Sequence, residues 1–106
     1  MPRSVQTHRA RESNSNQRSH FAQVAARWRA SARWRALVKL FWAQPQNQAC
    51  ATCGVDLVTV AREGRAIDHV VAHRGDEGRF WDESNWQALC GRCHSLKSNR
   101  ERWQGR

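Results

Sequence analysis

Two cysteine pairs, Cys50–Cys53 and Cys90–Cys93, bracket Asp68, His69, His73 and Asn85, and His94 follows directly. A C-x2-C pair lets both thiolates of one tight turn reach the same ion, and two such pairs complete the tetrahedron that zinc prefers. Four thiolates leave no position open for water, so zinc is expected to be structural here. Asp68 offers a hard oxygen suited to Mg2+ or Mn2+. One carboxylate and one imidazole, from His94, make a sparse site with room for waters and a substrate phosphate. The competing readings are ordinary buried cysteines or disulfides, and histidines satisfied within a core; His8 and His20 are read in that second way.

These side chains have to be positioned. The 36 residues between Cys53 and Cys90 exceed a simple zinc ribbon, so a folded insertion is expected. The stretch "VDLVTVA" at 55–61 reads as a strand, "REGR" at 62–65 as a hairpin turn and "AIDHVV" at 66–71 as a second short strand. Residues 72–85 read as loop, and "WQAL" leads into the second cysteine pair. Residues 94–104 read as a final helix with Leu96, Arg100 and Trp103 near one face. Adjacent residues on a regular strand point to opposite faces. Asp68 and His69 can therefore serve one site only if the strand ends or bulges there. His94 falls in the first turn of the last helix, where the dipole disfavours imidazolium and keeps it neutral, as a metal ligand must be.

Upstream, residues 21–44 are Ala-rich, lack Gly and Pro, and stop before Pro45, which predicts helix. Its apolar residues do not keep to one face. Phe21, Val24, Ala25, Trp28 and Ala32 share one side, while Trp34, Leu37, Val38 and Phe41 share another, roughly 120–180° away at 100° per residue. Either two helical pieces meet near Ser31 or the first half packs on a different partner. The near-repeat "ARWRA" at 26–30 and 32–36 also allows a tandem duplication. Residues 1–20 are polar and Arg-rich with almost nothing to bury, and read as a disordered basic arm; a mitochondrial transit peptide shares that composition.

The chain has 106 residues and a net charge of +9. Such a length suits one small domain with a modest core that profits from a staple. Residues 1–49 hold nine basic residues and one acid, whereas residues 50–106 hold nine basic and eight acidic ones. The excess charge therefore sits in the N-terminal half and favours a polyanion, nucleic acid first and an anionic membrane surface second. Arg27, Arg29, Arg33 and Arg35 are candidate phosphate contacts, a solvated basic face being the plainer reading. Phe80, Trp81 and Trp86 are expected in the core, with base stacking the minor alternative. No apolar run is long enough to span a membrane and no signal-peptide core follows the N-terminus, so a cytoplasmic chain with reduced thiols is expected.

Taken in order, Asp68-His69, then "NWQALC" at 85–90, then Cys93-His94 resemble the motif of HNH endonucleases. More closely, "IDHVVAHRGD" at 67–76 and "FWDESNWQALCGRCHSLKS" at 80–98 are similar to small phage HNH endonucleases encoded beside terminase genes. The likeness runs from about residue 31 to about residue 102. It implies a small α+β, zinc-stapled domain with a ββα-metal, treble-clef-like core at 45–106, preceded by a basic helical segment at 21–44. It further implies that Asp68 and His94 hold a catalytic divalent ion (Mg2+, Mn2+ or Ni2+). His69 becomes the general base, Asn85 the brace that orients it, and His94 a catalytic ligand. The implied activity is hydrolysis of DNA phosphodiester bonds, by nicking or double-strand cleavage. The implied partners are DNA, a phage terminase and portal protein, and the implied compartment is the cytoplasm of a bacterial host. Ala72 stands where that family usually has proline. His73 and Arg74 after it read as phosphate contacts, His73 with a second reading as an extra ligand, and a solvated loop weighs equally. The rival function is a non-catalytic zinc module that binds nucleic acid, which has no need of Asp68, His69, Asn85 and His94 together.

Overall fold

The computed structural model describes residues 20–104; the arm expected at the N-terminus lies, through residue 19, outside them. Residues 20–29 form helix α1 and Ala32–Ala43 form α2. Ser31 separates them. Its backbone is extended (φ −79°, ψ 153°), and its hydroxyl accepts from the Trp34 N–H at 3.2 Å while donating to the Trp28 carbonyl at 2.6 Å. A serine N-cap satisfies donors that a helix start leaves open, and the chain is thereby split into two helices with different apolar faces. The Arg35 guanidinium donates to the Ala30 carbonyl at 2.7 Å, closing the end of α1. Helix α2 stops at Gln44, whose extended backbone (φ −77°, ψ 131°) is what a following proline demands.

The sheet differs from the sequence expectation. Residues 55–61 form no strand; only an isolated bridge, Ala49 with Asp56, remains. The cause is local. The Asp56 carboxylate accepts from the Val58 N–H at 2.9 Å and from the Thr59 hydroxyl at 3.2 Å, which turns the backbone back on itself. Arg62–Gly64 is a 3-10 turn and makes no hairpin. Strand β1, Arg65–His69, instead pairs antiparallel with β2, Trp86–Cys90, a stretch read only as a lead into the second cysteine pair. The register sets Asp68 opposite Gln87 and His69 opposite Trp86.

Between the strands, Asp76 caps a short helix α3, Glu77–Trp81, by accepting from the Arg79 N–H at 3.0 Å. A 3-10 turn at Glu83–Asn85 follows, so the expected loop is largely ordered turns. The last helix, α4, covers Gly91–Gln104 and begins as soon as β2 ends. On the face that carries Leu96, Arg100 and Trp103, Leu96 and Trp103 are 52% and 68% exposed. The line of α4 that faces β1 carries Cys93, Lys97 and Glu101 instead.

Leu57, Leu89, Trp86 and Phe41 bury themselves together with Cys50 and Cys93, and Trp34, Leu37 and Trp42 of α2 pack on them. The core is thus continuous with the cysteine cluster. Phe80, fully buried, is enclosed by the rings of Trp28 at 4.7 Å, Trp34 at 5.1 Å and His69 at 5.0 Å. Two helices from upstream and one strand from the centre of the chain meet on that ring. Among the described residues no helix is long and apolar enough to cross a membrane.

Candidate functional site

The sulfur atoms of Cys50, Cys53, Cys90 and Cys93 all lie within 4.8 Å of one another. Cys53 Sγ and Cys90 Sγ are 3.8 Å apart, which matches the edge of about 3.8 Å expected for a tetrahedron of sulfurs 2.3 Å from zinc. The first turn is shaped by backbone bonds from Cys50 N–H to Val55 O and from Gly54 N–H to Cys50 O, both 2.9 Å. Gly54 adopts φ +79°, a region open to glycine at little cost. The Ala51 N–H donates to Ala88 O at 2.8 Å, which ties this turn to β2 and brings Cys53 beside Cys90. The thiols ionise unequally: against burial, hydrogen bonds from the Cys53, Cys90 and Thr52 backbone lower the Cys50 thiol to about 6, while hydrogen bonding to Cys90, burial, and the Cys50 and Cys53 side chains push the Cys93 thiol up to about 12, so the cluster resists holding four thiolates. A dication removes that conflict. The four cysteines therefore fit a structural zinc site.

About one strand's length away, the Asp68 carboxylate is buried, 6% exposed. Its Oδ2 accepts from Gln87 Nε2 at 2.9 Å and pairs with Lys97 Nζ at 3.2 Å. Its Oδ1 faces His94 Nε2 at 3.8 Å. Gln87 arrives by the strand register, Lys97 and His94 by the helical spacing i, i+3 on α4. Lys97 also donates to the His69 carbonyl at 2.9 Å and pairs with Glu101. Neither Gln87 nor Lys97 was singled out from sequence. The strand pairing that places Gln87 was not foreseen, and a lone Lys in a helix carries no signal of its own.

Strand β1 ends at His69, meeting the condition under which neighbouring residues can share a site. Asp68, His69 and His94 line one cavity of about 270 Å3. His69 Nε2 lies 2.9 Å from the Phe80 carbonyl, which also accepts from Trp86 Nε1 at 2.8 Å. A carbonyl can only accept, so Nε2 carries the proton and Nδ1 keeps its lone pair. Burial holds the His69 ring below the usual imidazole range; Arg29 and Lys97 add to this, while the Phe80 carbonyl and Asp68 work against it. The His69 ring is thus held in one orientation, with its proton affinity lowered.

Asn85 does not touch the His69 ring. Its Oδ1 accepts from the Val71 N–H and its Nδ2 donates to the Val71 carbonyl, both at 2.9 Å, while its own carbonyl accepts from Val70 N–H at 2.7 Å. It pins the chain just after His69. His73 Nδ1 accepts from the Gly75 N–H at 2.9 Å, which leaves Nε2 as a donor and makes the ring unsuited to ligate a cation through that nitrogen. Burial first, then His69 and Arg29, lower the His73 ring to about 4 against the pull of Asp76. Arg74 (φ +49°) and Gly75 (φ +82°) form the left-handed turn beside it, and Arg74 lines the cavity.

The four candidate arginines part company. Arg29, at the end of α1, lines the cavity with Asp68, His69 and His94. Much of its stem is exposed, but its guanidinium sits 5.7 Å from the Phe80 ring centroid, and desolvation there lowers its pKa. Arg33 lies over Trp81 at 3.9 Å, Arg35 closes α1, and Arg27 is exposed.

A family model described as HNH endonuclease matches residues 50–100. That segment contains all four cysteines, Asp68, His69, Asn85 and His94. No curated protein and no solved structure matches the chain significantly. The fold is a small α+β domain whose four grouped cysteines fit zinc, consistent with an HNH zinc-stapled domain over the matched segment. The match supports a nuclease at the level of that family, with nucleic acid as its substrate class.

Proposed function

We propose that the protein is a metal-dependent DNA endonuclease in which Asp68 and His94 hold a divalent cation and His69 is the general base. The observation that carries this reading is the 3.8 Å approach of Asp68 Oδ1 to His94 Nε2 in the cavity that His69 also lines. When bound there, a divalent cation polarises a phosphate oxygen and stabilises the leaving oxygen. His69 Nδ1 accepts a proton from the attacking water while Nε2–H stays on the Phe80 carbonyl. The water oxygen bonds to phosphorus, the P–O3′ bond breaks, the leaving oxygen takes a proton from solvent water, and 5′-phosphate and 3′-hydroxyl ends result. Asn85 acts at one remove, by fixing Val71 and so the end of β1. His73 Nε2, Arg74 and Arg29, which line the cavity, would donate to phosphate oxygens, and Arg27, Arg33 and Arg35 would add positive charge farther out.

The test is supercoiled plasmid incubated with Mg2+, Mn2+ or Ni2+ and then with EDTA, for wild type and His69→Ala. The expected outcome is metal-dependent cutting that the variant loses by at least about 100-fold, the usual worth of a positioned base, with zinc and fold retained. Equal rates for the two proteins overturn the base assignment. Nicking, and a role beside a phage terminase and portal during DNA packaging, rest on the sequence resemblance alone. The rival reading, a zinc module that only binds nucleic acid, is favoured by the basic N-terminal half; it predicts DNA binding with no cutting under any metal.

A further inference from the structure

Helix α2 and strand β1 leave between them a groove of about 740 Å3, within the range of sites that take small ligands. Trp34, Val38 and Trp42, at i, i+4 and i+8, form one wall. Arg29, Lys39 and Arg65 supply its charge, and among the described residues no carboxylate lines it. Arg65 lies over the Trp42 ring at 4.3 Å, and its Nε is buried with no hydrogen-bond partner among the described residues. Arg29, Ile67 and His94 line both this groove and the smaller cavity around Asp68 and His69, so the two adjoin.

An aromatic and aliphatic wall under a cationic rim suits one class of ligand. Unpaired bases stack on aromatic faces and, where Arg65 covers the Trp42 ring, on the guanidinium plane, and the backbone follows the positive charge. A paired base offers this groove no free face. We propose that the groove binds one or two unpaired nucleotides of the strand that carries the scissile phosphate, bases against the Val38–Trp42 wall and phosphates on Arg29 and Lys39. This rests on the nuclease reading for its direction, and it makes the substrate a duplex with a single-stranded flank rather than a blunt one.

The experiment measures affinity in EDTA, where nothing is cut. The full-length protein is titrated into a fluorescein-labelled 20-base-pair duplex, blunt or carrying a four-nucleotide thymidine overhang, and anisotropy is read. The overhang is expected to tighten binding about tenfold, the worth of one stacked base. Val38→Trp fills the groove without changing charge and is expected to abolish that gain while blunt-duplex affinity stays within about twofold. Val38 is half-buried, so Lys39→Glu, at an exposed position, provides the second variant: overhang affinity should fall more than blunt affinity. Equal wild-type affinity for both probes overturns the proposal, as does a gain that survives Val38→Trp or an equal fall for both probes in Lys39→Glu. Plasmid cutting without overhang preference removes the groove assignment alone, whereas overhang preference without cutting removes the nuclease reading alone.

Discussion

Asp68 Oδ1 stands 3.8 Å from His94 Nε2, one atom at the end of a strand and the other in the first turn of a helix. Were a divalent cation bound between them, these two side chains would hold it, and it would supply charge for a phosphate oxygen. The other carboxylate oxygen is already engaged by Gln87 and Lys97. The free oxygen therefore points one way, and four separate consequences can be measured.

The cysteine cluster is continuous with the core, since Cys50 and Cys93 pack among Leu57, Leu89 and Trp86. Cys53→Ser removes one zinc ligand and should unfold the domain rather than merely silence it. Zinc content should drop from about one ion per chain towards zero, and the cooperative thermal transition should vanish, because a structural zinc site is itself folding free energy. A normal melt for this variant contradicts a structural metal. Chelation of the wild type should reproduce its far-UV spectrum.

The pH response follows from two lowered imidazoles. His73 has a folded value of about 4 against about 6.5 when unfolded. Between these values the unfolded chain binds more protons, so stability rises with pH across this window and is lost as pH falls from about 6.5 towards about 4. His69 shifts in the same direction. Melting temperatures at pH 4.5, 5.5 and 7 should fall on acidification, and His73→Asn, which keeps an acceptor for the Gly75 N–H, should flatten the slope. The acid limb of kcat/KM should likewise lie below the ordinary histidine range, since a lowered base stays unprotonated further into acid. An unchanged slope in His73→Asn rules out His73 as a contributor.

Asn85 makes its two short side-chain bonds to Val71, and its Nδ2 also donates to the Arg79 carbonyl at 3.5 Å. Asn85→Ala should cost about 1–2 kcal/mol in urea denaturation, two modest hydrogen bonds' worth in a partly solvated place, and should slow cleavage as the end of β1 loosens. Asn85→Asp keeps the acceptor for Val71 N–H but sets a carboxylate against the Val71 carbonyl. It should therefore behave no better than Ala. Full activity in both variants removes Asn85 from the positioning scheme.

Helix α1 touches the loop after β1 at one tight point. A Cβ on Gly75 comes within 2.8 Å of the Phe21 ring, and Gly75 already has φ +82°. Gly75→Ala should destabilise the protein by about 1–2 kcal/mol from the left-handed backbone alone, and further from the clash. Phe21→Ala in the same chain should recover the clash component but not the backbone one. A double-mutant cycle with no coupling shows that α1 does not dock there in solution.

Much of this was readable from residue types and spacing. The two C-x2-C turns announced the metal cluster because thiolate chemistry is local to each pair. The break at Ser31 was foreshadowed by an apolar face that changed sides, though the sequence left that choice open. The sheet was misread because Asp56, a single side chain, diverts a β-rich stretch into a turn, so β1 had to find its partner in Trp86–Cys90. With that pairing unknown, Gln87 could not be placed opposite Asp68. Lys97 escaped notice because only the packing of α4 on β1 tells it from any solvated lysine; Phe80 was expected in the core and lies there, but the hold of its backbone carbonyl on His69 leaves no mark in the sequence.

The ring of Phe80 is gripped by Trp28 and Trp34, both upstream of residues 50–100, while the carbonyl of the same residue fixes the tautomer of His69. Grafting or trimming guided by the matched segment alone would carry every ligand yet leave the imidazole's anchor unsupported. The smallest transplantable unit of this molecule is set by a pair of indoles, and it starts well before the first cysteine.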